Sequence, residues 1–352
     1  LGADAMQGLG AITVIAYWQM TYGSGLAGQW WYMLIPFTGM VVAFLGWGIC
    51  RVRETRAMTL GQLIEMRYSK RLRILCGTLC YVSGIVNMGI FPAASAGFFV
   101  TFCGLPTHVS VLGFQMSTMV LTMLVLEGAA VCLALWGGQV SIVVTDFFQS
   151  VFVNLVFVLI MFALYRMVTW DQLASAYLSQ PNGEGMINPF YQGKTGDFNK
   201  WFFMMWMFMA FYNVVSWAPN TSMISSTRTA HEARMMRFLL SVKNFATMGM
   251  GIWLLPLGAY VLLHHLQFAD QAQAINGTLS QFANDQMRSQ MTTPAAVVHI
   301  LPMGLLGALA ALMLFASVTT DDTYLLTWGG MLVQDVIIPL RGKPLSPKQH
   351  IN

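Results

Sequence analysis

Long apolar runs separated by short polar interruptions dominate the chain. A run of about 20 apolar residues is the length a helix needs to cross a bilayer. Eight such runs occur, at roughly 1–22, 28–50, 73–103, 111–136, 140–166, 200–227, 239–264 and 296–327. The first lacks its beginning, and the third and eighth are long enough to tilt or break. The pattern predicts an all-α membrane protein, a helical bundle of about eight spans with a single transmembrane domain over 1–352. Residues 51–72 form a loop whose amphipathic stretch, "MTLGQLIEMRYSKRL", places Leu60, Leu63, Ile64 and Tyr68 near helical spacing. That stretch is expected to lie along the membrane surface. Two longer polar connections, 167–199 and 265–295, carry glycine and asparagine and belong on the opposite side.

Composition agrees with this reading. The 352 residues are 56% hydrophobic and only 9% charged, against about 25% charged in soluble domains. The 32 glycines suit helices packed closely in lipid. The cations set the orientation, because cytoplasmic loops collect lysine and arginine. Arg51, Arg53, Arg56, Arg67, Lys70, Arg71 and Arg73 lie in one loop, Arg228, Arg234, Arg237 and Lys243 in another, and Arg341, Lys343 and Lys348 in the tail. All three regions fall on one side if eight spans are threaded. The other side keeps Arg166, Lys194, Lys200 and Arg288. The net charge of +4 is thus a matter of topology and carries no expectation of nucleic-acid binding. The expected location is the cytoplasmic membrane, multi-pass.

Cys50, Cys76, Cys80, Cys103 and Cys132 lie in or beside apolar runs without a C-x-x-C pair, and read as buried free thiols. His264 and His265 end a run and read as interfacial. No signal peptide precedes the first run. The start at Leu1 and the close in "LSPKQHIN" read as a piece of a longer membrane protein. There is no H-E-x-x-H, G-x-S-x-G or P-loop pattern, so no enzyme is expected.

The informative residues are polar groups inside apolar runs. An acid at the bilayer centre costs roughly 3 kcal/mol, so such a group usually faces a cavity or a partner. Asp4, Glu127, Asp146 and Asn213 with Tyr212 and Ser216 are of this kind, as is the cluster Thr319-Thr320-Asp321-Asp322-Thr323. Ala316, Thr319, Thr320 and Thr323 follow i, i+3, i+4, i+7 spacing and share a helix face. Their hydroxyls are either hard oxygen ligands for a small cation or are bonded to their own i−4 carbonyls. Asp321 and Asp322 point about 100° apart, and hydration at the cytoplasmic end would lower the cost of burying one of them. Glu127 either pairs with Lys243 or Asn87 or is a proton site. Lys243 either lines the inner side of its span or snorkels to the interface.

Four stretches carry a family resemblance. "LPMGLLGALAALMLFASVTTDDTYLLTWGGMLVQDVI" resembles the eighth core helix of the sodium:solute symporter family, with Thr319, Thr320, Asp322, Thr323 and Asp335 matching its pattern in order. Asp321 departs from it. "LWGGQVSIVVTDFFQ" resembles the family's Gly-Gly-x6-Thr-Asp-x-x-Gln signature. "MTLGQLIEMRYSKRLRIL" and "SSTRTAHEARMMRFLL" resemble its loop after the second span and its segment after the sixth helix.

The resemblance implies part of a five-plus-five inverted-repeat fold of the leucine-transporter type. It implies sodium-coupled symport of a small polar solute, with Na+ as the coupling ion. Carried over by position, the sodium site is Ala316, Thr319 and Thr320, with first-helix carbonyls at or before Leu1. Asp146 and Asp322 lie on the sodium pathway, and Asp146 alternatively reads as a capping or packing carboxylate. Substrate candidates are Asp4, Gln7, Tyr212, Asn213, Ser216 and Trp217, where Pro219 implies a bend. The expected partners are the solute and the lipid bilayer. The family also contains transporter-like sensor domains of larger signalling proteins, and that alternative stands beside the symporter.

Overall fold

The apolar runs become helices, and the interruptions that matter most are those inside them. The structure is a computed structural model describing residues 2–111, 113–180, 183–191, 198–247, 252–282 and 284–343. Leu1, Lys194 and Lys348 lie outside the described residues.

A short helix, α1 (Gly2–Met6), is followed by a non-helical Gln7–Gly10 and then by α2 (Ala11–Tyr32). Next come α3 (Leu34–Leu45), α4 (Trp47–Glu54), α5 (Leu60–Arg67), α6 (Lys70–Met88) and α7 (Phe91–Phe102). An antiparallel hairpin, β1 (His108–Val111) and β2 (Phe114–Ser117), pairs His108 with Ser117 and Val111 with Phe114. The fourth apolar run therefore starts its helix at Thr118 rather than at 111, because "HVSV" and "FQMS" alternate with the period of a strand. Helix α8 (Thr118–Met167) covers the fourth and fifth runs and turns at Gly138, with φ 55° and ψ −163°. That conformation is open to glycine almost alone, so one glycine converts a continuous apolar stretch into two spans.

The connection after α8 is helical, with α9 (Trp170–Leu178) and α10 (Gly183–Ile187). The sixth apolar run is a broken span: α11 (Lys200–Ser216) and α12 (Ala218–Ser226) meet at Trp217 with a bend of 46°. Pro219 starts α12 without needing a partner for its missing N–H. Then follow α13 (Ala230–Thr247), α14 (Leu254–His264), α15 (Ala269–Leu279), α16 (Asp285–Ile300) and α17 (Met303–Met331). Helix α17 runs on through a π-helical turn, Leu332–Ile337, into α18 (Ile338–Arg341). The polar connection 265–295 is thus largely helical.

Among the described residues five helices are long and apolar enough to cross a membrane, and the bent pair α11–α12 makes a sixth. The count differs from the eight apolar runs because Ala11–Leu45 joins the first two runs and because the seventh, 239–264, crosses residues 248–251, outside the described residues. Ala11–Leu45 is apolar throughout, but α2 is interrupted at Gly25, with φ 62° and ψ −154°, between the first run and the second.

The main core gathers α2, the second half of α8, α14, α16 and α17, through buried Val14, Ile15, Trp18, Phe157, Leu255, Met291, Leu312 and Met313. The broken start of the chain is therefore held in the middle of the bundle. The amphipathic α5 docks on the protein. Thr59 caps it by accepting from Gln62 N, and also donates to Asp335 Oδ1 at 2.6 Å. Arg73 then joins Asp335 (Nε–Oδ1, 3.0 Å) to Glu65 (2.5 Å) and to the Gln334 carbonyl (2.6 Å).

Candidate functional site

Two polar centres form where the broken helices meet the core. The first lies between the α1–α2 break, α8 and α17. Ala316, Thr319, Thr320, Asp321, Asp322 and Thr323 are all buried on α17. Gly10, the last residue before α2, packs directly on Thr320. A Cβ added at Gly10 would stand 2.9 Å from Thr320 Oγ1 and 3.1 Å from its Cβ, so glycine lets the chain at the break pack this closely on the Thr320 side chain.

The Thr319 and Thr320 hydroxyls are not spent on their own helix. Thr319 Oγ1 donates to Gln149 Oε1 on α8, and Thr320 Oγ1 is buried without a hydrogen-bond partner. Asp146, also on α8, is wholly buried with both carboxylate oxygens unpartnered. Thr323 donates to Asp322 Oδ1 at 3.3 Å. Orphaned hydroxyl and carboxylate oxygens beside a helix break are a hard-oxygen donor set, and fit an alkali cation better than a soft metal. The residues present thus fit the ion that the family resemblance implies.

Three expectations are corrected here. Neither Asp321 nor Asp322 meets water: each is 1% exposed. Asp321 has Glu127 of α8 beside it, carboxyl to carboxyl, so Glu127 is paired with neither Lys243 nor Asn87. Lys243 does not snorkel. Its Nζ donates to Ser150 Oγ at 2.8 Å, one turn beyond Asp146 on α8. The long lysine stem reaches inward because a polar partner stands there, which hydropathy alone does not reveal.

The second centre joins the two breaks. Asp4 on α1 accepts from Gln7 Nε2 at 2.7 Å and forms a buried ion pair with Arg237 NH2 of α13 at 3.2 Å. Gln7 also donates to Asn220 Oδ1 at 3.2 Å. Asn220, one turn into α12, donates to the Asn213 carbonyl at 2.9 Å, and its own carbonyl accepts from Arg237 at 3.1 Å. Trp217 at the break lies edge-on to Trp328 (centroids 5.6 Å) and to Tyr324 (6.1 Å) of α17.

The predicted substrate residues are therefore divided. Asp4, Gln7 and the Asn213 backbone come together, with Trp217 close by. Tyr212 and Ser216 are exposed on α11. Tyr212 packs on Phe208 (5.7 Å), and Ser216 reaches only Asn213 Oδ1 at 3.5 Å. Sequence reasoning missed Asn220, Arg237 and the partner role of Gln149. Asn220 was detectable as the polar residue just after Pro219. Arg237 was hidden among the cytoplasmic cations, although the apolar flanks in "MMRFLL" mark it as a burial candidate.

No protein-family model matches the chain, and no curated protein matches it. Among solved structures it is similar to a Na+-coupled sialic acid symporter in a substrate-bound outward-open state, with a TM-score of 0.77 at 14% identity. The likeness covers 99% of this chain and 68% of the symporter. The protein has an all-α membrane-transporter fold.

Proposed function

We propose that this protein is a sodium-coupled secondary transporter of a small polar solute in the cytoplasmic membrane, and a member of the sodium:solute symporter family. The observation that carries the reading is the buried, unpartnered Thr320 hydroxyl facing the α1–α2 break, with the unpartnered carboxylate of Asp146 on α8 beside Asp322 of α17. Transporters of this architecture place ion and substrate sites at interrupted helices, where freed backbone groups line the path. The fold shared with a Na+-coupled symporter supports the same reading.

In this proposal Thr319 and Thr320 give side-chain oxygens and Ala316 a carbonyl. Leu1, expected to contribute from the first helix, lies outside the described residues; the interruption at Gln7–Gly10 is the described backbone beside Thr320. At the end of α1 the Ala3 and Met6 carbonyls accept from Gln7 N (3.0 Å) and Leu9 N (2.9 Å). Asp146 and Asp322 mark the ion's route. A cation held between α1 and α17 ties the short first half of the broken span to a core helix. Release of the ion would loosen that tie, and substrate and ion affinities are coupled reciprocally.

The test is solute uptake by proteoliposomes of the full-length protein, with inward sodium against choline gradients. Sodium-dependent accumulation is expected, and Thr319→Ala and Thr320→Ala should each raise the sodium concentration for half-maximal uptake. Uptake indifferent to sodium in wild type and both variants would refute the assignment.

A further inference from the structure

The second centre contains an arginine, which bears on what the solute is. Asp4 and Arg237 are 3% and 7% exposed and are ion-paired to each other, so their opposite charges cancel within one buried unit. A buried pair of this kind holds because each charge neutralises the other, and a third charge nearby would be left unbalanced. The unit is not saturated. Asp4 Oδ2, Gln7 Oε1 and Arg237 Nε are all buried without hydrogen-bond partners. The site therefore offers two free acceptors and one free donor around a neutral core, between two broken helices.

We infer that the Asp4–Arg237 pair is a specificity element that selects a polyhydroxylated solute of no net charge. This rests on the transport reading above. A hydroxyl both donates and accepts, so one type of group satisfies Asp4 Oδ2, Gln7 Oε1 and Arg237 Nε alike. An anion would compete with Asp4 for Arg237, and a cation would compete with Arg237 for Asp4. A zwitterion would have to split the pair to use it. The rings of Trp217, at the α12 break, and of Tyr324 and Trp328 on α17 stand edge-on to one another. They present the apolar surface against which the carbon skeleton of a polyol packs.

The experiment measures thermal stabilisation of the purified full chain in sodium chloride and in choline chloride. The probes are neutral polyols (a set of hexoses and hexitols), alanine as zwitterion, lactate as anion and ethanolamine as cation. Wild type should respond to at least one polyol and to none of the charged or zwitterionic probes. Asp4→Asn leaves Arg237 uncompensated and should turn preference toward lactate by about tenfold, the change one charge-assisted hydrogen bond makes. The double variant Asp4→Asn/Arg237→Gln restores neutrality and should restore the polyol preference, which guards against misreading a folding defect. A wild type that responds to lactate, ethanolamine or alanine, or to no polyol in the set, overturns the inference, as does an Asp4→Asn variant with unchanged ranking. A sodium-dependent response to lactate would remove this inference and leave sodium coupling standing. Absence of any sodium effect would instead count against the transport reading.

Discussion

Arg73 at the start of α6 donates from Nε to Asp335 Oδ1 in the π-helical turn, at 3.0 Å and with the aspartate wholly buried. The contact ties the loop after the second apolar run to the far end of the eighth, 262 residues away. Thr59 shares the same oxygen. A π-turn at this place fits the tendency of such turns to mark functional positions, since it brings Asp335 against the loop.

Removing one side of this junction should be more damaging than removing both. Arg73→Ala leaves Asp335 with only Thr59 as a side-chain donor, and breaking a buried pair from one side typically costs about 3–5 kcal/mol. Arg73→Met with Asp335→Leu should recover most of that loss. Thermal unfolding of the detergent-solubilised protein measures both; equal losses for the single and double changes would show that the pair is not the source of stability.

Gly10→Ala puts a methyl against the Thr320 side chain. The break must shift, and Thr320 must turn from its present position. The expected outcome is at least a tenfold increase in the sodium concentration for half-maximal uptake, with a smaller fall in stability, since overpacking typically costs about 1–3 kcal/mol. Adding Thr320→Ala should relieve the crowding and restore stability without restoring sodium dependence. Sodium-titrated uptake and melting curves on the same three proteins separate the two effects.

Gln149 is predicted to act through Thr319. Its side-chain oxygen accepts from the Thr319 hydroxyl and so fixes where the hydroxyl oxygen points. Gln149→Leu should raise the sodium requirement as Thr319→Ala does, and the double variant should be no worse than either alone. Non-additivity of this kind is the signature of residues in one hydrogen-bond network. Strictly additive losses would place Gln149 outside the ion site.

How much of this was legible beforehand differs from residue to residue. The face made by Ala316, Thr319, Thr320 and Thr323 follows from helical spacing alone, and its burial follows from the apolar run around it. The bend near Pro219 was legible because proline restricts the residue before it and removes a donor. Only residues 111–117 of the hairpin fall in the expected span, since a short apolar alternation beside a long apolar run is scored as helix by a hydropathy window. Tyr212 and Ser216 were overvalued for a related reason: their nearness to the break in sequence does not set which face of α11 they occupy.

The sequence by itself determined that the chain is a bundle of apolar helices, where its polar interruptions fall, and which helix face carries the threonine oxygens. Those follow from local periodicity and from the cost of placing polar groups in hydrocarbon. Only the tertiary structure decided that Thr320 meets Gly10, that Lys243 turns inward to Ser150, and that Arg237 closes a neutral pair with Asp4. These partners are separated by about 90 residues or more along the chain. Their choice depends on how the broken helices pack, which local spacing does not encode.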